Sequence, residues 1–328
     1  MRTLPSIVAL FLAAPCFAAI EGTVMNGTTG QPQPNTLVSL MQPGAGGMQN
    51  LATTKSDAAG KFHFDQDPPG PRILQAIFDG VIYNQVAPPG TPADNLIVAV
   101  YASTKAPGTA TLTQHLILLQ PSETELSVSE NFLFQNSGKL SFNDPAGGSA
   151  KVFVPPAGWL SAKSTITAPG GMPIQRDLEK TRDAGVYKIS YPLKPGETRF
   201  DVTYTMPAAK PMLFAGRAVN GGNQPTRLVV PNGVSLTGSN IQLLGQEPTT
   251  QASIYTVSGD KYEVEVVGVG AMAAQQPANP EDLGMPQPHA ARPRLYDRIW
   301  VLLTLVLLSL AVGAFLLYRR EPPATEKK

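Results

Sequence analysis

Between Ile299 and Leu317 the chain carries no charged residue, and the run closes on Tyr318-Arg319-Arg320. As a helix rising 1.5 Å per residue, such a run extends about 28 Å, close to a bilayer hydrocarbon core of about 30 Å. Trp300 and Tyr318 stand near its two ends, where amphipathic rings favour the membrane interface. A single transmembrane α-helix is therefore expected over residues 298–318, with membrane lipid as its partner, and a cytoplasmic tail over 319–328. Ser309 and Gly313 form a small-xxx-small pair on that helix and are the candidate helix-contact residues.

The N-terminus reads as a secretory signal peptide over residues 1–18. Arg2 supplies the positive charge and Ile7 to Ala14 the short apolar stretch. Cys16-Phe17-Ala18 places small residues at the −3 and −1 positions of a cleavage site. A second membrane helix is the alternative, and Pro15 interrupts it. Pro15 also fits poorly with acylation of Cys16. Export of the N-terminus puts the bulk of the chain outside the cytoplasm, in the periplasm or at the cell surface. Arg319, Arg320, Lys327 and Lys328 then lie inside, although Arg292, Arg294 and Arg298 flank the other side. Cys16 is the only cysteine, so the mature chain would have no disulfide, thiolate nucleophile or cysteine metal ligand. A net charge of +1 without a basic run argues against nucleic acid as a partner.

Before residue 295 the sequence reads as all-β. Its 30 glycines and 32 prolines punctuate short runs rich in strand formers, the pattern of sandwiches. Residues 19–102 form a first unit. Strands are predicted over Ile20–Met25, Thr36–Met41, Leu51–Ser56, Lys61–Phe64, Arg72–Phe78, Val81–Val86 and Leu96–Tyr101. Asn26-Gly27, Gly30, Asp57 to Gly60, Pro68-Pro69-Gly70 and Asp79-Gly80 mark turns. Gly22-Thr23-Val24, Gly30-Gln31-Pro32, Val38-Ser39-Leu40, Thr54 to Phe64 and Pro69-Gly70 together carry a likeness. This unit resembles the carboxypeptidase regulatory-like domain, a transthyretin-like sandwich of the carbohydrate-binding-like fold. Asp57-x-x-Gly60-x-Phe62-x-Phe64 is its most recognisable element. The tyrosine usual soon after Pro-Gly is replaced by Pro71-Arg72-Ile73. The resemblance implies an accessory, non-catalytic module.

Residues 108–269 form a second, larger β-sandwich region, read as one sandwich with insertions or as two smaller ones. Leu126, Val128, Phe132 and Phe134 share one strand face, which Glu130 interrupts. Tyr187, Ile189 and Tyr191 alternate likewise, as do Phe200, Val202, Tyr204 and Met206, and Tyr262, Val264 and Val266. This layout resembles bacterial envelope proteins in which a regulatory-like domain precedes an Ig-like or fibronectin-like β-domain and one C-terminal helix. Residues 271–294 are a proline-punctuated linker.

No catalytic, cofactor or metal motif stands out. His63, His115 and His289 fall in no metal-binding spacing, and there is no Gly-x-Ser-x-Gly elbow. Asp57 and Asp79 read as turn residues, and Glu123, Glu125 and Glu130 as the wet edge of a strand. Asn26-Gly27-Thr28 matches a glycosylation acceptor and, more simply, a tight turn. Trp159, in a Pro/Gly loop, is the candidate ligand-binding residue, either stacking on a sugar or plugging a sandwich end. The expected function is a non-enzymatic envelope protein that binds or scaffolds an envelope protein partner. The alternatives are a carbohydrate- or peptide-binding receptor and, last, an enzyme with a spatially assembled site. A buried cluster of Asp, Glu, Ser and His would favour the enzyme. Gly313→Ile is expected to lower self-association of the 298–318 segment in a helix-dimerisation reporter, and an unchanged signal would remove that contact.

Overall fold

The computed structural model describes residues 19–44, 47–108, 110–155, 162–221, 225–272, 307–312 and 315. The first region contains β1 (Ile20–Asn26), β2 (Gln31–Pro32), β3 (Leu37–Gly44), β4 (Gly47–Lys55), β5 (Lys61–Phe64), β6 (Arg72–Phe78), β7 (Val81–Ala87) and β8 (Leu96–Val100). β1 is central to one sheet. β5 and β2 pair antiparallel along one of its edges, and β8 pairs parallel along the other. The second sheet runs β4-β3-β6-β7, all antiparallel. Period-two alternation turns Val38, Leu40, Leu74, Ala76 and Tyr83 inward against Ile20, Val24, Phe62, Phe64, Val98 and Val100.

Two glycines of the quoted motifs have steric causes. A Cβ on Gly22 would lie 2.3 Å from the Phe62 ring and 2.4 Å from the Leu96 carbonyl. Gly60 adopts φ +74°, and its Cβ would lie 2.9 Å from the Val24 carbonyl. The Asp57 carboxylate shapes the same turn by accepting from the N–H groups of Ala59 and Lys61, each at 2.8 Å.

The second region contains β9 (Ser103–Thr104), β10 (Ala110–Pro121), β11 (Glu125–Asn136), β12 (Ser141–Phe142), β13 (Ala150–Phe153), β14 (Ala162–Thr167), β15 (Ile174–Arg176), β16 (Glu179–Lys180), β17 (Val186–Ile189), β18 (Gly196–Pro207), β19 (Leu213–Arg217), β20 (Thr226–Val230), β21 (Ser235–Thr237), β22 (Ile241–Gln246), β23 (Ser253–Val257) and β24 (Lys261–Val267). One eight-stranded sheet runs β15-β14-β18-β11-β10-β20-β23-β22. Its pairings are antiparallel except for β10 and β20, which run parallel over His115–Leu118. Two three-stranded sheets, β13-β17-β16 and β19-β24-β21, share one hydrophobic core with it. Val152 and Ile189 come from the first, and Phe214, Val264 and Val266 from the second.

The two sandwiches are bonded to each other beside the short parallel pairing of β9 with β12. The Tyr83 hydroxyl donates to the Tyr101 carbonyl at 2.7 Å and lies 2.9 Å from Ser141 Oγ. Thr28 Oγ1 donates to the Lys139 carbonyl at 2.6 Å, and Ser103 N–H donates to Asp79 Oδ2, also at 2.6 Å. Lys194 Nζ sits 5.2 Å from the Tyr83 ring centre and 5.7 Å from that of Tyr191. No carboxylate pairs with it among the described residues. Burial also raises the phenols of Tyr83 and Tyr191.

The apolar run read as a membrane helix lies mostly outside the described residues. Residues 307–312 and 315 are helical, and among the described residues no helix is long and apolar enough to cross a membrane. The signal segment 1–18, most of the linker and the tail 319–328 also lie outside them.

Burial pushes the Lys194 amine from 10.5 down to about 8. Between those values the folded chain binds fewer protons than the unfolded chain, so stability rises with pH through that window. Below it the full cost of the buried charge is present, offset in part by the two rings. Lys194→Met keeps the stem and removes the charge. It is expected to stabilise the protein by about 1–3 kcal/mol at pH 7 and to flatten the rise between pH 8 and 10. Urea unfolding across pH measures both, and parallel curves for the two proteins would refute it.

Candidate functional site

Glu130 is the first departure from the sequence reading. It is not on a wet edge: it is 4% exposed, inside the core of the second sandwich. The alternation of β11 requires this, because Val128 and Phe132 on either side face the same way. His115 is equally enclosed, at 5% exposure. Its Nε2 lies 3.2 Å from Glu130 Oε2 and its Nδ1 lies 2.9 Å from Thr226 Oγ1. Tyr204 donates its hydroxyl to Glu130 Oε1 at 3.1 Å, and Phe132 stacks on the imidazole with ring centres 4.5 Å apart. Every polar atom of the imidazole and carboxylate is used if Nε2 carries the proton and the Thr226 hydroxyl donates to Nδ1. Burial, then the Glu130 charge, pushes the phenols of Tyr204 and Tyr262 well above their ordinary range, so both stay protonated. The Tyr262 hydroxyl has no hydrogen-bond partner among the described residues.

A hydroxyl, an imidazole and a carboxylate in a row have the composition of a hydrolytic triad. Their chemistry needs access, because a nucleophile and base act only on a substrate within hydrogen-bond reach. Thr226, His115, Glu130 and Tyr204 are all buried, and none lines the clefts described next. What the row does here is mechanical. It ties β20 to β10, β10 to β11, and β11 to β18.

The clefts lie along a seam. The two small sheets cover the large one side by side, and their facing edges are β13 and β19. Phe153 of β13 lines one cleft, of ≈ 610 Å³, together with Ala215 to Arg217 of β19. Asn220, just beyond β19, reaches β13 directly. Its side-chain amide accepts from the Lys151 N–H and donates to the Lys151 carbonyl, both at 2.7 Å. A larger cleft of ≈ 730 Å³ adjoins that contact. Leu112, Phe134, Phe142 and Leu193 line it with apolar surface, and Thr111, Thr113, Ser149 and Asn220 with polar groups. Lys151 is the one charged residue among those lining it. Thr113 is the extra residue of a β-bulge between Leu112 and Gln114. Bulges re-aim side chains and recur beside binding sites. Leu112 stands opposite Phe134, and His115 opposite Phe132, so the polar row lies one layer of side chains in from the cleft.

The remaining sequence candidates separate. Trp159 and Gly313 lie outside the described residues, as does His289; Ser309 lies in the helical stretch 307–312. His63 is on the wet face, 3.3 Å from Glu21 and 3.0 Å from Asp65. Asn26 is buried, donating to Gln33 Oε1 and accepting from the N–H groups of Thr28 and Thr29. That is a turn role, and burial leaves no room for a glycan. Among the described residues no three His, Cys, Asp or Glu side chains converge on a common point. The seam and Asn220 were not singled out in the sequence. An asparagine in a Gly-rich stretch reads as loop, and its partner lies 69 residues away.

No family model matches the chain and no curated protein matches it. Among solved structures it is similar to the crystal structure of a mutant M1 zinc metallopeptidase from Deinococcus radiodurans, with 14% identity and a TM-score of 0.25. The match covers 48% of this chain and 42% of that one, so the chain spans less than half the length of that neighbour. A likeness at that level carries no inference about fold or chemistry.

Glu130→Leu would leave the His115 Nε2 and the Tyr204 hydroxyl unpartnered in the core. It is expected to cost about 3–5 kcal/mol, whereas Glu130→Gln, which retains an acceptor for one of them, should cost about 1–2 kcal/mol. Urea denaturation at neutral pH measures the difference, and equal, small losses would show that the row does not hold the sheet.

Proposed function

We propose that this chain is a non-enzymatic, membrane-anchored envelope protein whose extracytoplasmic β-sandwiches bind or scaffold an envelope protein partner. In this reading residues 19–102 are a carboxypeptidase regulatory-like, transthyretin-like module. The 108–269 region is an Ig- or fibronectin-like sandwich, and 298–318 is the anchor. Support for the first module comes from its two packed sheets, the Asp57 turn and the inward Phe62 and Phe64. Support for the anchor comes from the uncharged run Ile299 to Leu317.

The observation that carries the reading is where the polar chemistry sits. The His115–Glu130 row is sealed in the core, while the surface offers sheet edges and a cleft lined mostly by hydroxyl, amide and apolar groups. The outermost strand of the large sheet, β22, has no charged residue. Leu243 and Leu244 on it are 54% and 56% exposed. Charge normally blunts such an edge, and its absence leaves backbone groups open to a partner. The cleft favours the second reading, a peptide or carbohydrate receptor, as a special case of the same function.

Affinity capture of the full-length protein from mild-detergent membranes is expected to bring down a defined set of envelope proteins. Leu243→Lys should reduce that set if the β22 edge is used. Recovery of the protein alone, or turnover of a hydrolase substrate panel, would overturn the reading.

A further inference from the structure

We infer that the seam between β13 and β19 is a slot for an extended peptide carrying one bulky apolar side chain. The inference rests on the binding function proposed above and names the partner class and the place.

The first argument is the Asn220 contact. A side-chain amide has the same donor and acceptor as a peptide group. By bonding both the N–H and the C=O of Lys151, Asn220 stands where a neighbouring strand would stand. Side-chain rotation alone releases both groups, so the edge is closed without being committed. Lys151 and Phe153 are two residues apart, and period two turns their backbone groups to the same edge. Among the described residues no strand pairs with β13 on that edge, and none pairs with β19 on its outer edge. The outer edge of β13, closed at Lys151 by a side-chain amide rather than a strand, is a template for an added strand.

The second argument is the cleft beside the clasp. Its floor of Leu112, Phe134, Phe142 and Leu193 lies within reach of a chain paired to Lys151. Added strands gain affinity from main-chain bonds and specificity from alternate side chains in pockets. One apolar side chain would drop onto this floor while its neighbours face Thr111 and Ser149 at the rim. The Lys151 ammonium disfavours a basic residue next to the anchor.

Random dodecapeptides displayed on phage are selected on the full chain in mild detergent. Binders are then measured by fluorescence polarisation against two variants whose folding is checked by circular dichroism. Asn220→Ala removes the competing clasp and is expected to tighten binding at least threefold. Thr111→Arg, at an exposed rim position, is expected to weaken it at least tenfold. Methylation of alternate backbone nitrogens in the peptide should abolish binding, and methylation of the intervening ones should not. Failure to select binders, or binders indifferent to both substitutions or to backbone methylation, would overturn the slot. So would a glycan-array ligand that Thr111→Arg displaces. Undiminished capture of envelope proteins by Thr111→Arg would remove the slot while leaving the binding function standing.

Discussion

The second sandwich depends on the join between β10 and β20. To one side of it β11, β18 and β14 follow in antiparallel succession, and to the other β23 and β22. The join itself is parallel and spans four residue pairs, from His115 opposite Thr226 to Leu118 opposite Val229. Without it the two covering sheets would close over separate cores. His115 bonds Thr226 directly across the join, and Glu130 and Tyr204 extend the contact over the next two strands. Burying these groups costs desolvation, which complete pairing offsets. What the row adds is register. A slip of β20 by one residue would turn Thr226 to the other face and leave Nδ1 of His115 without a partner.

The strands were legible because alternation survives wherever one face is buried. The seven strands predicted for the first region match β1 and β3 to β8 within a few residues at each end, and Lys61–Phe64 and Arg72–Phe78 coincide with β5 and β6. Phe200, Val202, Tyr204 and Met206 share a buried face as the pattern required. The departures occur where a polar residue sits on the apolar face. Glu130 interrupts that face and reads as wet, because the sequence does not show the partners that make a buried carboxylate tolerable. Those partners come from β10 and β18, the farther of them 74 positions away. The same distance effect hid the short β9–β12 pairing and the Asn220 clasp.

Charges inside the first sandwich follow the same logic. Arg72, at the start of β6, is buried. One guanidinium nitrogen reaches Asp67 Oδ1 at 2.5 Å and another donates to the Thr91 carbonyl. It therefore fastens the loops on both sides of the β6–β7 hairpin. The guanidinium serves there as a planar fork of donors. Lys194 contrasts with it. Its ammonium meets two rings and, among the described residues, no carboxylate, whereas the Arg72 guanidinium meets Asp67.

The seam can be traced to twist. Neighbouring strands rotate by about 20–25°, so the seven steps across an eight-stranded sheet accumulate roughly 140–175°. A single covering sheet would have to follow that rotation while keeping its own ladder and its own inward face. Two sheets of three strands each follow half of it, and the break between them leaves two strand edges facing each other. Backbone groups at such a break must still be satisfied. Among the described residues no strand of the chain does it at the outer edge of β13. A side chain carrying the peptide group's own donor and acceptor can, and Asn220 supplies it. The opening beside β13 is thus a consequence of the width of the underlying sheet. It would persist through changes in the surrounding loops as long as β10 and β20 remain joined.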